Sequence, residues 1–417
     1  MAGMRAALKI TLTVALLQLC ASNAYPFDYI LKGEISERFY VVENAVNLES
    51  GRFDIDDTYN TLYVSPSMAF SFGSSVDGLL AADIECLHSI ESEKDGVDVL
   101  LRSAYLTWRT GRSTVRAGQQ PFLIGKGLIL DNDEPGISID YRIKGPYYSG
   151  IDAVIVEDSS PLASITLGYK PGFLERLELF GVWFSDEDDS IAEAIERIIG
   201  SKRSHSTGDL FWYGVRADLF LWDVYFSGIF MMQDGRINLK KGDRERHEGL
   251  SSYLMDVGLD YNFSDCFSAG AFLFLTSGDK HPRRGEFHSF ISVIPYNPRT
   301  SIFFNGGINE QFSSDAVSLS GITPAGVIAP GIRVICQPSD RLSAEMTVAL
   351  MLAEKRPSSK QKWYGWEADL IFAYAASKDV VLFLEADYFH HGDFFKTRYG
   401  RRPDPVTYLI LGLNLFF

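Results

Sequence analysis

Thr407-Tyr408-Leu409-Ile410-Leu411-Gly412-Leu413-Asn414-Leu415-Phe416-Phe417 (TYLILGLNLFF) alternates strictly. Thr407, Leu409, Leu411, Leu413, Leu415 and Phe417 fall on one side of a strand, and Tyr408, Ile410, Gly412, Asn414 and Phe416 on the other. A tilted strand of about 9–11 residues crosses the hydrocarbon core of a bilayer, and barrel strands turn apolar side chains to lipid and polar or small ones inward. The stretch therefore reads as a lipid-facing strand with a terminal aromatic, and Phe417 is where barrel-assembly machinery is expected to engage the chain. A soluble core strand alternates as well, so the other end of the sequence has to be weighed with it.

There Arg5 and Lys9 precede an apolar run from Ile10 to Leu19, followed by Ser22-Asn23-Ala24. That order is the pattern of a secretory signal, so residues 1–24 are expected to be a signal peptide and 25–417 an outer-membrane barrel domain. No later stretch approaches the roughly 18–20 consecutive apolar residues that a membrane helix needs. Lipid offers no partner to an unpaired backbone group, so any spanning falls to a closed barrel. Composition agrees, with 13% aromatic residues, 36 glycines and 46% hydrophobic residues that rarely cluster. The net charge of -15 becomes -17 without Arg5 and Lys9, and no nucleic-acid partner is expected. Three cysteines follow the signal, Cys86, Cys266 and Cys336, an odd number that argues against a disulfide scaffold.

Period-two segments bounded by Gly, Pro, Asp and Ser place strands near 30–41, 59–73, 78–90, 97–109, 112–121, 136–143, 149–157, 162–170 and 175–184. They continue near 208–219, 222–233, 250–262, 265–277, 326–336, 341–353, 363–375, 379–391 and 405–417. The expected fold is an all-β transmembrane antiparallel β-barrel of about 18 strands with short periplasmic turns and long extracellular loops. Turns such as Thr110-Gly111 and Leu221-Trp222 alternate with charged loops at 121–135, 185–207, 234–249, 278–325, 354–362 and 392–404. Strand-like pieces at 287–294 and 300–308 lie inside the longest loop and would raise the count to about 20. A helix is expected from Ser190, where Ile191, Ile195, Ile198 and Ile199 share a face and Gly200 ends it.

Once the apolar rows are turned outward, parity assigns the lumen. Asp256 and Asp260 face inward opposite the row of Tyr253, Met255, Val257 and Leu259, as does Glu345 opposite Leu342 to Leu352. The same reading puts Glu367, Asp369, Glu385 and Asp387 inside, with fewer basic residues: Arg116, Arg216 and Arg333, plus Lys32 and Arg38. Charges in a narrow pore select by sign, so this wall suggests polar solutes with a mild preference for cations or neutral sugars. Ladders of this kind also simply stiffen barrel interiors.

No G-x-S-x-G elbow or H-E-x-x-H pair occurs, and neither an enzyme nor a cofactor is expected. His390-His391 is the only close histidine pair, and a solvated loop explains it better than a metal site. Asp131, Asp133 and Glu134 follow Gly125-Lys126-Gly127 but lack the regular spacing of a calcium loop.

Ala104-Tyr105-Leu106-Thr107-Trp108, a tight turn, and Val115-Arg116-Ala117-Gly118-Gln119-Gln120-Pro121-Phe122 together resemble the alginate-export type of outer-membrane porin. Ile294-Pro295-Tyr296, Arg299, Phe303-Phe304-Asn305-Gly306-Gly307 and Pro330-Gly331 are similar to that family's proline-aromatic loop and glycine-rich segment. The resemblance implies an 18-stranded monomeric barrel passing a polyanionic polysaccharide, with Arg116 and Gln120 at matching lumen positions. Gln119 stands where the motif has a second arginine, so the substrate is not carried over.

The leading expectation is a porin-like channel in the bacterial outer membrane, embedded in its lipid and passing a small polar solute or saccharide. An exopolysaccharide exporter is one alternative. A surface-binding barrel that acts as an adhesin through its external loops is another.

Overall fold

The computed structural model describes residues 27–47, 52–89, 95–156, 159–172, 174–187, 205–241, 244–280, 286–294, 296–305, 325–355, 361–400 and 402–417. The proposed signal peptide and the helix expected from Ser190 lie outside the described residues. Eighteen strands follow one another: β1 (Phe27–Asn47), β2 (Arg52–Phe72), β3 (Val76–Ser89), β4 (Asp95–Thr110), β5 (Ser113–Ile124), β6 (Leu130–Lys144), β7 (Tyr147–Val156), β8 (Ser160–Tyr169) and β9 (Leu174–Asp186). The second half comprises β10 (His205–Leu221), β11 (Val224–Lys241), β12 (Arg244–Ser264), β13 (Phe267–Thr276), β14 (Val327–Ser339), β15 (Leu342–Leu352), β16 (Trp363–Ser377), β17 (Val380–His391) and β18 (Val406–Phe416). Two short helices, α1 (Ile302–Asn305) and α2 (Asp393–Tyr399), sit in the connections before β14 and β18.

Each strand pairs antiparallel with the next, and β18 returns to β1 from Glu34↔Phe416 to Glu43↔Thr407, so the sheet closes on itself. Closure removes every outer edge over the paired length, which is what lipid demands. The seam is fastened by reciprocal backbone bonds between Gly33 and Phe417 at 2.9 and 3.0 Å. The Phe417 ring lies over Gly33, where a Cβ would come within 2.3 Å of it.

Leu31, Leu167, Leu179, Ile332, Leu350 and Leu411 are exposed on the outside, while Ser36, Ser65, Ser138, Ser164 and Thr347 are buried inside. A soluble monomer does not tolerate so continuous an apolar exterior; a barrel in lipid requires it. Exposed aromatics ring the short-turn end (Trp108, Tyr141, Tyr147, Trp222, Phe263, Tyr374, Phe417) and recur towards the other (Trp183, Phe211, Trp363). Glu37 departs from this rule: it pairs across the sheet with Leu62 and Leu413 on the outer face, where its carboxylate accepts a 3.2 Å bond from Asn60.

All 18 expected strands are present, and the outer ends correct the reading. Residues 121–135 and 234–249 are chiefly strand, because β5 and β6 continue as one hairpin and β11 and β12 run on together beyond the span. At 21 residues β12 is about twice the length that a span needs, and the charged sequence of 234–249 holds no apolar row, so it imitates a loop. The pieces at 287–294 and 300–308 add no strand within their described residues: they hold two isolated bridges and α1.

Candidate functional site

Two outer connections fold into the lumen. The β5–β6 turn runs through Gly125, Lys126 and Gly127 at φ of 61°, 62° and 82°, a left-handed path that an L residue such as Lys126 seldom takes. It delivers Leu128, Ile129 and Leu130, all buried, to the barrel interior. The second connection, between β13 and β14, presents Phe287, Phe290, Ile291, Val293, Ile302, Phe303 and Phe304, buried as well. Each such side chain contributes about 1.5–3 kcal/mol against about 1–2 kcal/mol per residue for ordering the backbone. Polar contacts with the wall then settle where the segments lie.

Those contacts are specific. Gln233 on β11 donates to the Ile291 carbonyl at 3.1 Å and accepts from its amide at 3.0 Å, and Trp212 on β10 donates to the same carbonyl at 3.1 Å. The two connections bond to each other: Val293 N donates to Ile129 O at 2.9 Å, Asp131 N to Ile294 O at 2.8 Å and Ser292 Oγ to Leu128 O at 2.7 Å. Asp256 of β12 anchors both. Arg299 Nε reaches its Oδ1 at 2.8 Å, and Lys126 Nζ its Oδ2 at 3.0 Å. The Arg299 guanidinium also lies 4.8 Å from the centre of the Phe272 ring. Opposite, Glu367 of β16 accepts the amides of Ile302 at 2.5 Å and Phe303 at 2.8 Å, at the start of α1. Phe303 and Phe304 then pack on Phe274, Tyr364 and Phe389.

Towards the short turns the wall changes character. Arg216 bonds Asp218 at 2.8 Å, Arg176 lies 3.8 Å from both Asp218 and Glu178, and Tyr148 donates to Glu178 at 2.6 Å. Arg116 stands 3.6 Å from Asp140, and Arg333 grips Glu345 through two bonds of 2.5 and 2.6 Å. The Arg116, Arg176 and Arg333 side chains remain 34%, 40% and 42% exposed.

The expected site residues thus divide. Arg116, Arg216, Arg333, Asp260 and Glu345 are not fully covered, whereas Asp256, Glu367, Asp369 and Asp387 lie buried beneath the inward segments. Glu385 accepts from Ser301 Oγ at 3.1 Å, and Asp369 faces Asp387 across the β16–β17 pair. Of the carboxylates behind the expected cation preference, Asp256, Glu367, Asp369 and Glu385 bond the inward segments, while Asp260 and Glu345 stay on the partly open wall. Gln120 is corrected. It is wholly buried and donates to the carbonyls of Arg116 and Gly136 at 3.4 and 3.1 Å, so it braces the sheet. His391 is packed against Phe389 and Phe395, with Nδ1 2.9 Å from Asp404 O, and His390 lies against Trp366.

Sequence reading missed Arg176, Glu178 and Asp218, which strand parity on β9 and β10 reveals. It also missed Lys126 and Arg299, which belong to connections where parity says nothing.

No protein-family model matches the chain, and no curated protein does. Solved structures match at the level of the fold. The outer membrane protein OprD from Pseudomonas aeruginosa superposes with a TM-score of 0.58 at 11% identity, over 94% of this chain and 94% of that one. OpdO from the same organism gives 0.55 at 11%, covering 94% and 97%. OccK2 (OpdF), solved in complex with glucuronate, gives 0.55 at 10%, covering 93% and 98%. The fold is that of the OprD/Occ outer-membrane porins. These neighbours do not support the alginate-export resemblance beyond its 18-strand barrel layout.

Proposed function

We propose that the chain is an outer-membrane channel for small polar solutes, with acid-bearing molecules such as sugar acids favoured. The observation that carries this is the division of charge: Asp256, Glu367, Asp369 and Glu385 of the upper lumen bond the inward loops, while Arg116, Arg176 and Arg333 stay partly exposed below them. Half-exposed guanidinium groups in a confined wall attract carboxylates and hold them through two parallel bonds. That OccK2 was solved with glucuronate and OpdK with vanillate, both carboxylate ligands, supports the same class. Phe417, ending the strand that seals the barrel, is the proposed contact for assembly machinery.

Uptake into proteoliposomes tests the reading. Glucuronate is expected to enter faster than glucose or glucosamine, and Arg116→Gln with Arg333→Gln should abolish that order. Equal rates for all three solutes would overturn the acid preference; failure of every solute to enter would overturn the channel.

A further inference from the structure

Gly118 and Gly136 face each other across the β5–β6 pair, and at their level both flanking ladders stop. β5 leaves β4 after Ala104↔Gln119, and β6 meets β7 only from Gly136↔Val154 towards the short turns. Above that level residues 119–135 leave the wall as one hairpin, with Phe122, Ile124 and Leu128 to Leu130 buried inside. The bend needs glycine on both strands. Gly118 has φ of 127° and a Cβ there would lie 2.2 Å from Ala104 O, and at Gly136 a Cβ would lie 2.4 Å from Ala153 O.

β4 continues without β5, paired only to β3 as far as Asp95. Its outer face is correspondingly bare: Val99 is 71% exposed, against 52% for Leu411 in an intact part of the wall. The edge left behind matches the hairpin that left it. β4 carries one extra residue between Ser103 and Leu100 in its ladder with β3, and continuing the Ala104↔Gln119 register past it sets Ser103 opposite Gln120, Leu100 opposite Phe122 and Val99 opposite Leu123. Ser103 and Gln120 are both buried, Leu100 shares the inner face of Asp83 and meets buried Phe122, and Val99 and Leu123 are both exposed, so the extended pairing keeps each side chain on its own face. An open strand edge is a template for pairing, and lipid does not tolerate one.

We propose that the 119–135 hairpin is a movable piece of the barrel wall with two positions. Inward, as seen here, it narrows the lumen and leaves a lateral seam between β4 and β5. Outward, residues 120–124 pair with 98–103, which seals the seam and widens the lumen. The inward position is held by Lys126 on Asp256 and by the bonds to residues 292–296; the outward position gains ladder bonds that the inward one forfeits. The consequence for transport rests on the channel reading above, whereas the movement is tested without it.

Val99→Cys with Leu123→Cys, in a background carrying Cys86→Ser, Cys266→Ser and Cys336→Ser, traps the outward position as a disulfide in reconstituted membranes. Ile84→Cys with Val99→Cys, neighbours in the existing ladder, sets the reference rate. The Val99/Leu123 bond is expected to form completely but more slowly than the reference, and Lys126→Ala should accelerate it about fivefold by releasing one partly exposed ion pair. The cross-linked barrel should conduct more than the reduced one. No disulfide while the reference pair forms, or one as fast as the reference, overturns the two positions. Conductance unchanged by the cross-link removes the gating role. A barrel that never conducts sinks the channel reading instead, and the disulfide rates still decide the movement.

Discussion

At the residue scale, position in the barrel decides what a charge does. Asp256, with one carboxylate shared between Lys126 and Arg299, ties two connections to the wall. Asp256→Asn should loosen both and leave two cations facing the lumen. In a salt gradient its reversal potential is expected to move towards anion selectivity, and an unchanged potential would show that the pair lies off the ion path. Gln233→Leu leaves the Ile291 amide without its acceptor while Trp212 keeps the carbonyl. The cost is about 1–3 kcal/mol, read as faster hydrogen exchange at Ile291. Outside the span, Arg402 bonds Asp393 and holds that carboxyl below the usual aspartate range. An NMR titration should find it low and Arg402→Gln should return it; being depressed in the fold, the contact is present above the ordinary aspartate pKa and lost as pH falls through the lowered one.

At the scale of elements, the spanning strands were legible and the inward segments were not, for one physical reason. A strand between lipid and lumen must alternate, so residues such as Leu342, Met346 and Leu350 announce their face and place Glu345 and Thr347 on the other. Inside the barrel that contrast disappears. Phe287, Phe290, Ile291 and Val293 pack against a wall that is itself apolar at that height, and neither period two nor period 3.6 records it. The apolar content of 286–305 is visible in the sequence, yet it reads only as strand-like pieces within a loop, because an apolar run names no partner. Strand closure is testable in the same terms. Gly33→Val would meet the Phe417 ring, and heat-modifiable mobility on gels should show a smaller folded fraction than the parent chain, with Phe417→Ala in the same variant recovering part of it.

At the scale of the whole molecule, apolar surface stands on both sides of one sheet. The outer layer meets lipid, and the inner cluster is a small core assembled from Trp212, Phe274, Tyr364, Tyr408 and the inward connections. Such a barrel is a channel only if water passes beside that core, along the arginine-bearing wall below it. Single-channel recording in planar bilayers tests this most directly. Discrete conductance steps with an anion-favouring reversal potential are predicted. Protein that is folded and heat-modifiable yet gives no steps at any voltage or salt concentration would contradict the account.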